Sequence, residues 1–305
     1  MSSNPQQPRI VSLIASATEI VCALGLRDCL VGRSHECDYP SDVLALPQCT
    51  SPKFQLDGSS YEIDQRVKAV LQESLSVYKV DAELVDSLAP THIITQSQCE
   101  VCAVSLKDVQ DAACRFIHSQ PRIVSLQPNS LTDVWDDIAT VGGALGIPER
   151  AQRLVSDLQR RLQEIQSRRR DKPRPRLVFV EWIEPLMVGG NWMPTLIGIA
   201  GGVNLFGEEG KHSPPLTWES LRQADPDVIV VAPCGFDMER TRQDMYFLQD
   251  KPHWSELNAV QSGRVYVADG NQFFNRPGPR LVESTEILES IFDGQAAGQG
   301  FAKLG

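Results

Sequence analysis

Cys99-Glu100-Val101-Cys102 is the segment of this chain whose residue types and spacing most plainly suggest chemistry. Three readings of the pair stand open. As half of a metal site it needs two further ligands, because structural zinc takes four N or S ligands in a tetrahedron. His35 and Cys37, on the loop after the second expected strand, complete a His-Cys₃ set suited to zinc or to an iron–sulfur centre. As a redox pair, the C-x-x-C motif opens a helix whose N-terminus lowers the thiol pKa; residues 103–110 fit that helix. The third reading is two loop thiols with no joint role. Cys234, in the second half of the chain, is a more distant ligand candidate.

Aromatic residues form the second set. Tyr39, Trp182, Trp192, Phe273 and Phe274 all fall in loops after expected strands, flanked by Gly, Pro or Asn. Rings in such places suit a flat apolar ligand, although large rings equally serve to plug a lobe interior. Glu100, Glu181, Glu184 and Asp237 are the acids of the same loops, and Arg276 is placed to meet an anionic group. His212 and His253 have no partner nearby in sequence. No phosphate loop, G-x-S-x-G or H-E-x-x-H occurs, so nucleotide, serine-hydrolase and zincin chemistry have no support.

The elements that must position these residues follow from patterning. Arg9-Ile10-Val11-Ser12-Leu13 returns as Arg122-Ile123-Val124-Ser125-Leu126. The helix, proline and apolar β-branched run of residues 86–95 returns loosely at 219–230. Such runs are strands buried on both faces of a parallel sheet. Ser16 with Glu19 forms a capping-box pattern for the first helix. Leu154, Val155, Leu158, Leu162 and Ile165 form one apolar stripe on a helix from about 148 to 170, which at 1.5 Å per residue is roughly 33 Å long. The expected architecture is two α/β lobes with parallel sheets, 1–126 and 172–305. A helical segment, 127–171, bridges them by one long helix, and a ligand cleft lies at the strand carboxyl ends.

The 305 residues, 42% hydrophobic and 22% charged, suit two globular domains, and the net charge of -10 argues against nucleic acid as a partner. No stretch is long enough to span a membrane, and the first residues lack a cationic and apolar leader pattern. The eight cysteines are Cys22, Cys29, Cys37, Cys49, Cys99, Cys102, Cys114 and Cys234. In a chain of this length they read as free thiols of a reducing cytoplasm.

The order of parts resembles the class III, helical-backbone periplasmic-binding-protein superfamily, and within it the cobalamin-binding group. The motifs are Arg9 to Leu13 followed by Ser16-Ala17-Thr18-Glu19-Ile20; Asp38-Tyr39-Pro40; Leu88-Ala89-Pro90 before a strand; and Trp218-Glu219-Ser220-Leu221 before Pro226-Asp227-Val228-Ile229. The resemblance covers about residues 9 to 293. It implies a corrinoid or related tetrapyrrole as ligand, held by Tyr39, Glu100, Glu181, Trp182, Trp192, Phe273, Phe274 and Arg276. With the thiols and no leader pattern, the expectation is a cytoplasmic small-molecule binder without an ABC transporter partner. The alternative is a zinc or iron metalloprotein, enzyme or redox protein, with His35, Cys37, Cys99 and Cys102 as ligands.

Overall fold

The structure, a computed structural model, describes residues 7–73, 78–97 and 118–305. Gly58–Asp64, Asn129–Thr132 and Ser156–Gly305 form one compact unit, the second lobe; the remaining described residues, up to Val155, form the first.

In the first lobe, short apolar runs become strands of a four-stranded sheet, in the order β2, β1, β5, β6, with every pair parallel. These are β1 (Ile10–Ser12), β2 (Leu30–Arg33), β5 (His92–Gln96) and β6 (Arg122–Leu126). Two further strands, β3 (Thr50–Pro52) and β4 (Tyr78–Val80), pair antiparallel beside them. Helix α1 (Ala15–Ala23) follows β1 directly, α2 is Ser60–Glu73, and α3 (Ala82–Ser87) is capped by the Asp81 carboxylate on the Leu84 N–H. Val11, Leu13, Cys49, Val85 and Ile93 form the core between sheet and helix. Chain order reverses across the sheet between β1 and β5, so this lobe's switch point lies at their carboxyl ends.

The expected bridge is present. After α4 (Leu131–Ala144), α5 runs unbroken from Pro148 to Arg169, and the boundary between the units falls inside it. Proline suits its first turn and Arg168-Arg169 its last, where cations complement the helix dipole. Its buried positions, Ala151, Leu158, Leu162, Ile165 and Arg169, keep to one helical face.

The second lobe is built on β7 (Arg176–Trp182), β8 (Met187–Val188), β9 (Val203–Asn204), β10 (Val228–Val231), β11 (Val265–Ala268), β12 (Ala297–Gly298) and β13 (Phe301–Lys303). Its sheet runs β12, β13, β11, β10, β7, β8, with β9 also on β7. The β7, β10 and β11 pairings are parallel, and β8, β12 and β13 join antiparallel. From β7 the chain first goes out to β8 and β9, then returns to the other side for β10. The switch point therefore lies between β7 and β10. Helices α6 (Met193–Ile199), α7 (Trp218–Ala224), α8 (Met238–Asp244) and α9 (Leu281–Phe292) cover the sheet. Val178, Val180, Ile229, Val231, Val265 and Val267 are buried at its centre.

One local expectation fails. Ser16 does not cap α1: the helix starts at Ala15 after an extended Ile14, and Ser16 is buried inside it, facing Gln96 Oε1 at 3.5 Å.

Candidate functional site

In the second lobe the continuous apolar runs of β7, β10 and β11 leave the sheet together and hand over to polar and aromatic residues. Backbone bonds tie the three exits to one another. Ala232 N–H donates to Val180 O (2.9 Å), Cys234 N–H to Glu181 O (3.1 Å) and Asn271 N–H to Phe236 O (3.0 Å). The ring of Trp182, half-buried at the end of β7, meets that of Phe236 at 5.3 Å between centroids, tilted by 54°. Its indole N–H donates to Glu184 O at 3.1 Å. The guanidinium carbon of Arg240 lies 4.4 Å from the Phe236 centroid, a cation–π contact. Arg276 donates from Nη2 to Asn271 Oδ1 at 3.0 Å. Burial pushes the Asp269 carboxyl up, against two backbone N–H groups that favour its charged form.

Glu181 stands in the same place but is committed locally, accepting the Ser213 hydroxyl at 2.7 Å. That hydroxyl in turn accepts the Gly190 N–H at 3.1 Å. Trp192, Phe273 and Phe274 lie behind the surface, at 6%, 3% and 1% exposure. Trp192 donates to Phe274 O, Phe274 packs on Phe179, and Phe273 lies under Arg280. As placed, these three rings fill the lobe interior and do not offer a face. Phe236 and Arg240 were not singled out from sequence; an aromatic directly after a Pro-Cys-Gly turn and before the Asp237 helix cap is the signal that marks them.

In the first lobe the loop after β2 presents Tyr39, 44% exposed. Its neighbours are inward-facing. His35 Nδ1 lies 2.7 Å from Thr50 Oγ1, and its ring meets Tyr78 edge-on at 4.7 Å. Burial, helped by the charge of Arg33, lowers its pKa to about 4, so it is neutral at physiological pH. Cys37 is buried, with its sulfur 3.0 Å from the Thr18 hydroxyl. Among the described residues no group of three His, Cys, Asp or Glu is placed to hold a metal ion. Cys99, Glu100 and Cys102 lie outside the described residues. The metal site expected from sequence thus gains no support.

The chain folds into two α/β lobes whose central strands run parallel, with polar and aromatic residues at the strand ends of the second, the architecture of a binding protein. The family model described as periplasmic binding protein matches residues 10–271, and the chain belongs to that family. It is 27% identical over 293 residues to the uncharacterized ABC transporter substrate-binding lipoprotein YvrC of Bacillus subtilis, covering 93% of this chain and 80% of that protein. The vitamin B12-binding protein of Vibrio cholerae is 24% identical over 281 residues, covering 91% and 86%. A periplasmic heme-binding protein of Pseudomonas aeruginosa has the same fold, with a TM-score of 0.72 at 21% identity over 98% of each chain.

These relatives, a lipoprotein and periplasmic proteins, contradict the cytoplasmic location expected from sequence and point to an extracytoplasmic one. The physical flaw lay in reading compartment from thiols. Cys29, Cys37 and Cys49 are buried, and burial raises Cys22 to about 12 and Cys49 to about 11. Buried thiols of this kind are poor nucleophiles and carry no information about compartment. The transporter partner, set aside for want of a leader pattern, is plausible again because YvrC is an ABC transporter substrate-binding lipoprotein. Among the described residues no helix is long and apolar enough to cross a membrane.

Proposed function

We propose that the protein binds a corrinoid or a related tetrapyrrole such as haem and delivers it to an ABC transporter. The observation that carries this is Trp182: a large ring, partly exposed and backed by a second ring, at the switch point of the second-lobe sheet, where ligands of open α/β sheets bind. Arg276, 7% exposed and bonded to Asn271, lies beneath the same second-lobe strand ends, and Tyr39 is an exposed ring of the first lobe's own strand-end loop. A flat conjugated ligand gains from such stacking, with few polar groups to fix its orientation. The relatives named for vitamin B12 and for heme support the same ligand class.

The test is titration with cyanocobalamin and, separately, hemin, followed by the visible spectrum and by co-elution. A dissociation constant of about 10 µM or tighter for one of them, about 7 kcal/mol of binding, is expected. Absence of binding to both at about 100 µM overturns the proposal.

A further inference from the structure

We propose, resting on the ligand surface assigned to Trp182, that Phe236 is the positioning residue holding both that ring and Arg276 in register. It reaches them by two independent routes. Its ring backs the Trp182 indole, and its backbone carbonyl accepts Asn271 N–H at 3.0 Å. The Asn271 side chain then receives Arg276. One residue thus fixes where a flat ring stacks and braces Asn271, which holds the guanidinium of the buried Arg276 behind that surface.

The sequence builds this deliberately. Gly235 sits at a φ of +77°, a left-handed turn that other residues rarely adopt, and it folds the chain so that Phe236 N–H meets Pro233 O at 3.0 Å. Asp237 then caps α8, which places Arg240 four residues beyond Phe236, against its ring. Arg240 is itself held by Asp244 at 2.9 Å, a carboxylate only 4% exposed, and by the carbonyl of Gly58. Asp244 also accepts the Ser60 N–H, so the carboxylate that holds Arg240 against the ring is itself held from a second side. Trp182 needs a backing: a single hydrogen bond, to Glu184 O, leaves a bicyclic ring free to pivot.

The experiment has a ligand-free arm and a binding arm. The near-UV circular dichroism of Trp182 is defined as the difference between wild type and Trp182→Phe. Phe236→Leu, which keeps bulk but not the aromatic contact, is expected to lose that signal with the far-UV spectrum unchanged; Phe236→Tyr is expected to keep it. Arg240→Gln, outside the core, is expected to weaken it. A wild-type Trp182 signal in both Phe236→Leu and Arg240→Gln overturns the inference. In the binding arm, affinity for cyanocobalamin or hemin is expected to fall about three- to tenfold in Phe236→Leu, the worth of one aromatic pair, and to recover in Phe236→Tyr. Unchanged affinity in Phe236→Leu also overturns it. Failure of the wild type to bind both probes rejects the tetrapyrrole proposal instead, and the ligand-free arm still decides the role of Phe236.

Discussion

The indole nitrogen of Trp192 donates to the backbone carbonyl of Phe274 at 2.7 Å, with both residues buried. Phe274 sits at a φ of +64°, a left-handed conformation costly for a side chain of this size. Its N–H is taken by the Ser284 hydroxyl at 3.0 Å and its ring by Phe179. The strained residue is thus held on three sides. Trp192→Phe removes one donor and leaves a buried carbonyl unpaired. It is expected to destabilise the second lobe by about 1 to 3 kcal/mol in denaturant unfolding. Equal stability would show that the bond does not hold the turn.

Two groups of the first lobe, half-buried His35 and buried Asp137, give opposite pH dependences. His35 has its folded pKa lowered from 6.5 to about 4, so the unfolded chain binds the extra proton between those values. Its contribution is complete above pH 6.5 and is lost as pH falls toward 4. Asp137 is the reverse: burial, with the charges of Asp133 and Asp136, raises its folded pKa from 3.8 to about 7, although it receives the Gln127 N–H. Here the folded state binds the extra proton, so stability falls as pH rises from 3.8 to 7. Each amounts to roughly 2 kcal/mol after solvent screening, and the two largely offset each other in the wild type. Asp137→Asn is therefore expected to raise the melting temperature at pH 8 relative to wild type and to leave a profile rising with pH. His35→Gln should leave one falling with pH. Parallel profiles for the two variants would refute the assignment.

How much of this was legible in the sequence depends on length of signal. Helix α5, expected from about 148 to 170, runs from 148 to 169, because five apolar positions on one stripe leave little freedom. The strands after Pro90 and Pro226 are equally clear, the first as a β-branched Ile-Ile-Thr run after a helix-closing proline and the second as an unbroken apolar run. The β12–β13 hairpin passed unnoticed, as did β8 and β9, since strands of two or three residues carry no readable period. For the site, sequence identified which loops carry rings but not which way they face. Trp182 and Phe274 both follow expected strands, yet one is half exposed and the other buried, because a tertiary partner, Phe179, claims the second. The left-handed φ of Phe274 has no sequence signal at all.

Gly270 is the point where the second-lobe site tolerates least change. A Cβ there would lie 2.1 Å from Pro233 O and 2.7 Å from Ala232 O, both backbone atoms at the β10 exit. Neither can swing away as a side chain would. Gly270→Ala must push the β11 exit from the β10 exit, moving Asn271 off the Phe236 carbonyl. The expected result is a loss of about 1 to 3 kcal/mol of stability together with weakened ligand affinity. A fully stable variant with wild-type binding would mean that the two exits are not coupled.

Adjacent arginines at the end of α5 should behave very differently. Arg168 forms a two-pronged pair with Glu289 on α9, at 3.0 and 2.7 Å, but its side chain is 52% exposed. Arg169, 3% exposed, pairs with Asp293 and donates to Pro173 O at 3.2 Å. It also packs on Gly201, where a Cβ would meet its Nε at 2.7 Å, and lies 5.9 Å from the Phe292 ring. Water competes for Arg168 and not for Arg169. Arg168→Ala is therefore expected to cost less than about 1 kcal/mol. Arg169→Ala empties a packed space and strips Asp293 of one of its two cations, for about 3 kcal/mol. Lys172, 2.9 Å from the same carboxylate, limits the electrostatic part of that loss. Unfolding in urea for both variants, with a double-mutant cycle against Asp293→Asn, separates charge from packing. A coupling energy that accounts for the whole Arg169 effect would rule out the packing share, and an Arg168→Ala loss equal to that of Arg169→Ala would refute burial as the deciding factor.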